Sequence, residues 1–374
     1  MAQPSVGEDA CGVLPCQYLE RAVAAGVVVQ DRSSPARIQP ASIDLQLGEV
    51  AYRLRCSFLP GAQTVEEKLK GYVIDELDLR GDGAVLETSR PYLIPLAERL
   101  DLPPALRART NPKSTTGRLD VFTRVITDCS HRFDDIAAGY AGQLWLEVVP
   151  LSFLVRVRQH VALNQLRLIA GTPRLDDDEL RAAHEADPIL YTREGPAAGG
   201  DLDIDDGLFL GLDLRREEGK PVGWRAKHHA PVIDYAQAGP WPVADYWEPV
   251  VSEVGDRVVL APERFYLLMS AEAVRIPPGL AAEMTASDPT SGELRTHYAV
   301  FFDPGFGYDP RGAPLGSQAA LEVRAHDVPF MIEHGQRVCR LRFERMLEPP
   351  ERLYGAGIGS SYQAQHGALG RHFR

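Results

Sequence analysis

Short runs in which apolar and polar residues alternate recur along most of the chain, separated by Pro, Gly and Asp. Period-two alternation bounded by turn residues predicts strands, so the pattern points to a mainly β architecture with many turns. In GQLWLEVVP (142–150) it puts Leu144, Leu146 and Val148 on one face and Trp145, Glu147 and Val149 on the other. Helical periodicity is scarce. The clearest case is the Ala-rich stretch 18–25, closed by Gly26 in a C-cap position. From 174 to 206 the chain is acidic, poor in large apolar residues except around Ile189–Tyr191, and interrupted by Gly-Pro and Gly-Gly, which predicts a linker.

The segments on either side of that stretch match each other. RPYLIPLAERLDLPPALRARTNPKSTTG, from Arg90, lies over RFYLLMSAEAVRIPPGLAAEMTASDPTSG, from Arg264. Tyr92 falls on Tyr266 and Pro103-Pro104 on Pro277-Pro278; downstream, Leu146-Glu147-Val148 falls on Leu321-Glu322-Val323 and Leu166-Arg167 on Leu341-Arg342. Register held over this length predicts duplication of one fold.

Length and composition narrow the function classes. At about 150 residues per domain, 374 residues allow two or three domains. No apolar run approaches the roughly 18 residues that span a membrane, and the N-terminal stretch is acidic where a signal peptide would be basic, so the expected location is the cytoplasm. Five scattered cysteines (Cys11, Cys16, Cys56, Cys129, Cys339) form no C-x-x-C pair and indicate neither a disulfide framework nor a zinc knuckle. A net charge of −12 disfavours nucleic-acid backbones as partners and leaves room for a local basic pocket around one small phosphorylated ligand.

Two segments carry candidate chemistry. Glu147 shares a strand face with Trp145 and Val149, and burial among apolar neighbours would raise its pKa, which suits a group that takes a proton from water and returns it to a leaving amine. Its recurrence as Glu322 favours this over a solvent-facing glutamate. NPKSTTGR (111–118) sets Lys113 and Arg118 around Ser114, Thr115, Thr116 and Gly117, two cations and three hydroxyls suited to bracketing an anion.

In this order the motifs resemble the dCTP deaminase family. ASIDLQLG (41–48) resembles its S-x-D-L-x-L-G strand, PKSTTGRL its K-S-S-x-x-R segment, HRFD (131–134) its H-R-I-D stretch and WLEV the strand of its catalytic glutamate. In the second half, FFDPGFG (301–307) resembles the D-P-G-[FW] turn, DVPFMIEHGQRVCRLRF the following hairpin, and SSYQAQHG (360–367) the C-terminal lid. The resemblance implies two tandem dUTPase-like domains (β-clip, distorted jelly-roll) at 1–173 and 207–349, joined by the linker 174–206 and followed by a lid at 350–374. It makes Glu147 the general acid/base and Lys113, Ser114 and Arg118 contacts to the triphosphate and reacting water. It adds Thr115, Thr116, Arg132, Asp134 and Trp145 to the substrate contacts, with Tyr354 and Gln365 from the lid. Ser291, Arg295, Asp303 and Glu322 define a possible second site; the first copy is expected to supply the core chemistry. Ala137–Tyr140 replaces the D-P-G-[FW] turn in the first copy, and Ser361 stands where the lid has lysine.

The implied reaction is deamination of a deoxycytidine nucleotide without zinc, since the H-x-E and P-C-x-x-C patterns of zinc deaminases do not occur. Mg²⁺ is expected on the triphosphate, and a homotrimer as the assembly. The alternatives are a dUTP pyrophosphatase, a bifunctional enzyme yielding dUMP, and a silent nucleotide-binding regulator. The Gly-rich tail from Tyr354 is expected to stay mobile until ligand binds.

Overall fold

In the computed structural model the described residues are all except 1–6, 8, 9, 31–34, 240, 287–293, 297–299, 310, 314, 326, 356–361, 363–366 and 374, with backbone alone at 286 and 294–296. The chain forms two compact units: Met1–Pro173 with His229–Pro240, and Arg174–His228 with Trp241–Arg374. Both are mainly β.

The first unit has two principal sheets. One runs Asp135–Ile136, Leu106–Pro112, Ala162–Ala170, Ile43–Gln46, Arg37–Ile38; the other runs Val121–Ile126, Ala141–Pro150, Tyr92–Asp101, Val50–Leu54, Val73–Asp78. Asn164 in the first donates to Thr123 in the second at 3.2 Å, so the side chains of that row meet between the sheets. The opposite face of the second sheet is also covered. Phe58 and the short helix Val65–Leu69, fixed by a Thr64/Glu67 capping box, pack with Trp145, Leu93, Leu54 and Ile126.

The second unit repeats this arrangement. Leu208–Gly211, Arg337–Arg345, Leu280–Ala286 and Val300–Phe302 form one sheet in that order; Gly223–Ala226, Phe265–Val274 and Ser317–Ala325 lie in the other. Equivalent residues hold equivalent registers: Glu147 opposes Leu93 and Glu322 opposes Leu267. The long central pairing is broken once in each copy, between Gln143 and Trp145 in the first and between Met269 and Ala273 in the second. A bulge re-aims the side chains it contains. Here it turns Glu98 and Glu272 onto the backbone N–H of Gln46 (2.8 Å) and of Gly211 (2.9 Å). The Tyr92 and Tyr266 hydroxyls likewise each accept from the N–H five residues upstream, of Glu87 and Ala261.

One expectation is corrected. The segment 174–206 folds within the second unit. Asp176 and Glu179 form a capping box that starts the helix Asp177–Ala186, buried through Leu180 and His184, and Leu190–Thr192 pairs with Phe265–Val274. Its acidity serves the helix N-terminus, where negative charge is favourable. The predicted helix at 18–25 is Cys16–Ala24, and Gly26 follows it at φ +79°. Of the described residues of the tail, expected to stay mobile until ligand binds, Tyr362, Ala368, His372 and Phe373 are buried. Phe373 sits 5.4 Å from the Tyr246 ring and 5.6 Å from Trp247, so it completes an aromatic cluster of the second unit.

Candidate active site

Glu147 lies on Ala141–Pro150 and is 1 % exposed. Arg124, directly opposite on Val121–Ile126, donates to Oε1 from Nε (3.1 Å) and Nη2 (2.5 Å). A carboxylate taken from water needs such a partner, so the apolar setting expected for Glu147 holds only in part. The Arg124 guanidinium lies 3.7 Å over the Phe133 ring and 4.7 Å over Phe122, and also donates to the Ser57 hydroxyl. Oε2 of Glu147 is buried and has no hydrogen-bond partner among the described residues. That oxygen is the one available to a ligand or a water.

The segment 113–118 forms a second cluster. Lys113 precedes the helical turn Ser114–Gly117, and its ammonium pairs with Asp44 of the S-x-D-L strand. Arg118 is 2 % exposed and its Nε donates to Ser114 Oγ at 3.2 Å. Thr115 is buried. Thr116 is not a free donor, because its hydroxyl is committed to the Leu163 carbonyl at 2.7 Å. Asp44 Oδ1, like Glu147 Oε2, is buried without a partner among the described residues. Lys113 and Ser114 are half-buried at this turn while Arg118 is buried against Ser114, and the sequence signal for Asp44 was already present as the polar face of Ser42, Asp44 and Gln46.

Other expected contacts hold the framework. Asp134, at φ +62°, accepts from the Thr110 hydroxyl (2.7 Å) and the Val125 N–H (2.8 Å), and so pins the loop that carries Phe133 over Arg124. Trp145 belongs to the apolar cluster under helix Val65–Leu69, at 5 % exposure. Arg132 points outward and pairs with Asp135 at 3.1 Å. The sequence reading missed Arg124, which is visible only as a cation on the apolar face of VFTRVI.

In the second unit Glu322 is 4 % exposed. It shares a cross-strand row with Leu267 and Trp224, hence one sheet face. On that face a cavity of about 650 Å³ is lined by Trp224, Met269, Tyr362, Ala368, Arg371 and Phe373, so tail residues do wall a pocket. Asp303 is buried at the head of the D-P-G-F turn. Gly305 must be glycine there: its φ is +98°, and a Cβ would stand 2.7 Å from the Tyr354 nitrogen. Tyr354 caps this turn, donating its N–H to the Pro304 carbonyl (2.8 Å) with its ring 5.8 Å from Phe306. Its hydroxyl accepts from the Tyr362 N–H at 3.3 Å. Arg295 lies on Leu294–Thr296, whose side chains are not described; Ser291 and Gln365 lie outside the described residues.

Comparison with known proteins bears on these clusters. Residues 10–172 match the N-terminal domain, and residues 176–373 the C-terminal domain, of 2'-deoxycytidine 5'-triphosphate deaminase. The crystal structure of 2'-deoxycytidine 5'-triphosphate deaminase from Agrobacterium tumefaciens is similar with a TM-score of 0.86 and 43% identity, over 94% of this chain and 100% of that one. A dCTP deaminase of Natronomonas pharaonis is 31% identical over 128 residues, 33% of this chain and 61% of that protein. A "dCTP deaminase, dUMP-forming" of Beutenbergia cavernae is 31% identical over 144 residues, 37% of this chain and 68% of that protein. For the first curated relatives, then, the match spans about 61% of their length. With both halves matched in order and the fold shared throughout, the chain belongs to the dCTP deaminase family, in a tandem dUTPase-like form.

Proposed function

We propose that the protein is an enzyme that hydrolyses dCTP to dUTP and ammonia. Family membership over both halves supports the substrate class, and one observation supports the chemistry: Glu147 is buried, held through Oε1 by Arg124, and has Oε2 unpartnered among the described residues. In this reading Oε2 takes a proton from water as its oxygen bonds to C4 of the cytosine. The C4=N3 π pair moves to N3, which receives that proton; Oε2 then carries the remaining hydroxyl proton to the 4-amino nitrogen as the C4=O bond forms, the bond from C4 to the amino nitrogen breaks, and ammonia leaves. General acid/base transfer contributes about 10²- to 10⁴-fold; holding the nucleotide in place contributes much of the rest. Lys113, Ser114 and Arg118 are the proposed phosphate contacts, with charge-assisted bonds of about 1.5–3 kcal/mol each.

A Mg²⁺ belongs on the triphosphate in this scheme. Among the described residues no three His, Cys, Asp or Glu side chains come together as a metal site. A homotrimer in the cytoplasm is the proposed assembly and location; no helix of the described residues is long and apolar enough to cross a membrane. Relatives named dUMP-forming favour one second reading, release of pyrophosphate at the same site.

The test is incubation with dCTP and Mg²⁺, resolving ammonia, dUTP, dUMP and pyrophosphate. Glu147→Gln should lower turnover by about 10²-fold or more while nucleotide binding persists, since the amide keeps the shape but carries no proton. Glu322→Gln should be milder. Near wild-type turnover in Glu147→Gln would move the chemistry out of the first copy, and binding without ammonia from the wild type would leave a regulator.

A further inference from the structure

One piece of the first unit is encoded far from the rest of it. His229–Pro240 belongs to that unit although the residues on both sides belong to the second. Ile233–Asp234 pairs in parallel with Val155–Val157, with Ile233 N–H donating to the Leu154 carbonyl (2.9 Å) and Tyr235 N–H to that of Arg156 (3.0 Å). Arg158 grips both oxygens of Asp234, at 2.8 and 2.5 Å. These contacts deliver Tyr235, 2 % exposed, to the buried side of the Ser114–Gly117 turn.

There its hydroxyl lies 2.8 Å from Thr116 Oγ1 and 3.3 Å from the Ala162 carbonyl. With the Thr116 hydrogen on the Leu163 carbonyl at 2.7 Å, the single tyrosine hydrogen is shared between Oγ1 and the more distant Ala162 carbonyl. The result is a chain from the Tyr235 hydroxyl through the Thr116 hydroxyl to the Leu163 carbonyl. Hydroxyls linked in series polarise one another, and all of these groups are buried. The chain enters the turn one residue from Thr115 and two from Ser114 and Arg118.

We propose that Tyr235 is a positioning residue that fixes the Lys113–Arg118 turn for the nucleotide. The role rests on the reading of that turn as a phosphate contact. It requires no contact between Tyr235 and substrate. Tyr235→Phe keeps the ring and the strand pairing but removes the donor.

The experiment compares the full-length wild type, Tyr235→Phe and Gln237→Ala by hydrogen–deuterium exchange over 113–119 and by steady-state deamination of dCTP. Tyr235→Phe should exchange faster in the turn and raise KM for dCTP roughly three- to tenfold, the size of one neutral hydrogen bond, with kcat within about twofold. Gln237→Ala, on the same strap but off the hydroxyl chain, should match the wild type in both. Unchanged exchange in Tyr235→Phe, or an equal rise in KM for Gln237→Ala, would overturn the positioning role. Faster exchange with an unchanged KM would support the positioning role and remove the turn from nucleotide binding, so the two readings fail separately.

Discussion

Burial holds the Glu98 carboxyl well above its ordinary range, lifting it from 4.5 to about 7 despite two hydrogen bonds from Gln46. Between those values the folded chain keeps a proton that the unfolded chain has released, so this group makes stability fall as pH rises through that window. The rise corresponds to on the order of 3 kcal/mol. Glu98→Gln removes the titration and costs roughly 1 kcal/mol at all pH, because the amide presents an N–H to one of the two donors of Gln46. Relative to wild type, the variant should therefore gain stability from pH 5 to pH 8, read as the difference in urea unfolding free energy. A difference that stays constant across that range would mean that the carboxyl is not held neutral. Arg124 acts at the same scale: the opposing cation lets Glu147 be buried, and the pair occupies one oxygen and leaves the other.

At the scale of elements, two segments that composition marks as loose are docked. The helix Asp177–Ala186 is capped at Asp176 and buried through Leu180, and the tail places Phe373 against Tyr246 and Trp247 with Trp241 6.0 Å from Tyr246. Removing the Phe373 ring should destabilise the protein by about 3 kcal/mol, as for other buried aromatic truncations. Phe373→Ala is expected to lower the urea midpoint and to red-shift tryptophan emission before the main transition. An unchanged midpoint would show that the tail is undocked in solution. The pocket beside Trp224 and Tyr362 gives this docking a second consequence: tail residues form part of its wall.

For the whole molecule, the repeated registers, the bulge at one equivalent position and the two tyrosine caps show a duplication in which the framework was kept more faithfully than the residues of the candidate sites. Phe209 occupies the strand position that Asp44 holds in the first copy, each opposite the equivalent residue of the neighbouring strand. If the metal travels with the nucleotide, removing Mg²⁺ should lower deamination, whereas a zinc-selective chelator should leave it unchanged; stoichiometric zinc with loss of activity on chelation would refute this. The sequence by itself determined the strands, the duplication and the family motifs, because alternation and turn residues are local and the two copies can be read against each other. It also marked Glu147 and Glu322. Only the tertiary structure decided what those carboxylates meet, that Lys113 pairs with Asp44 69 residues away, and that Thr116 is tied to Tyr235 119 residues away. It likewise decided that the acidic stretch is packed, and so is Phe373 near the end of the tail. Such pairings are long-range, and a residue's partner across a sheet leaves no trace in the periodicity of its own strand.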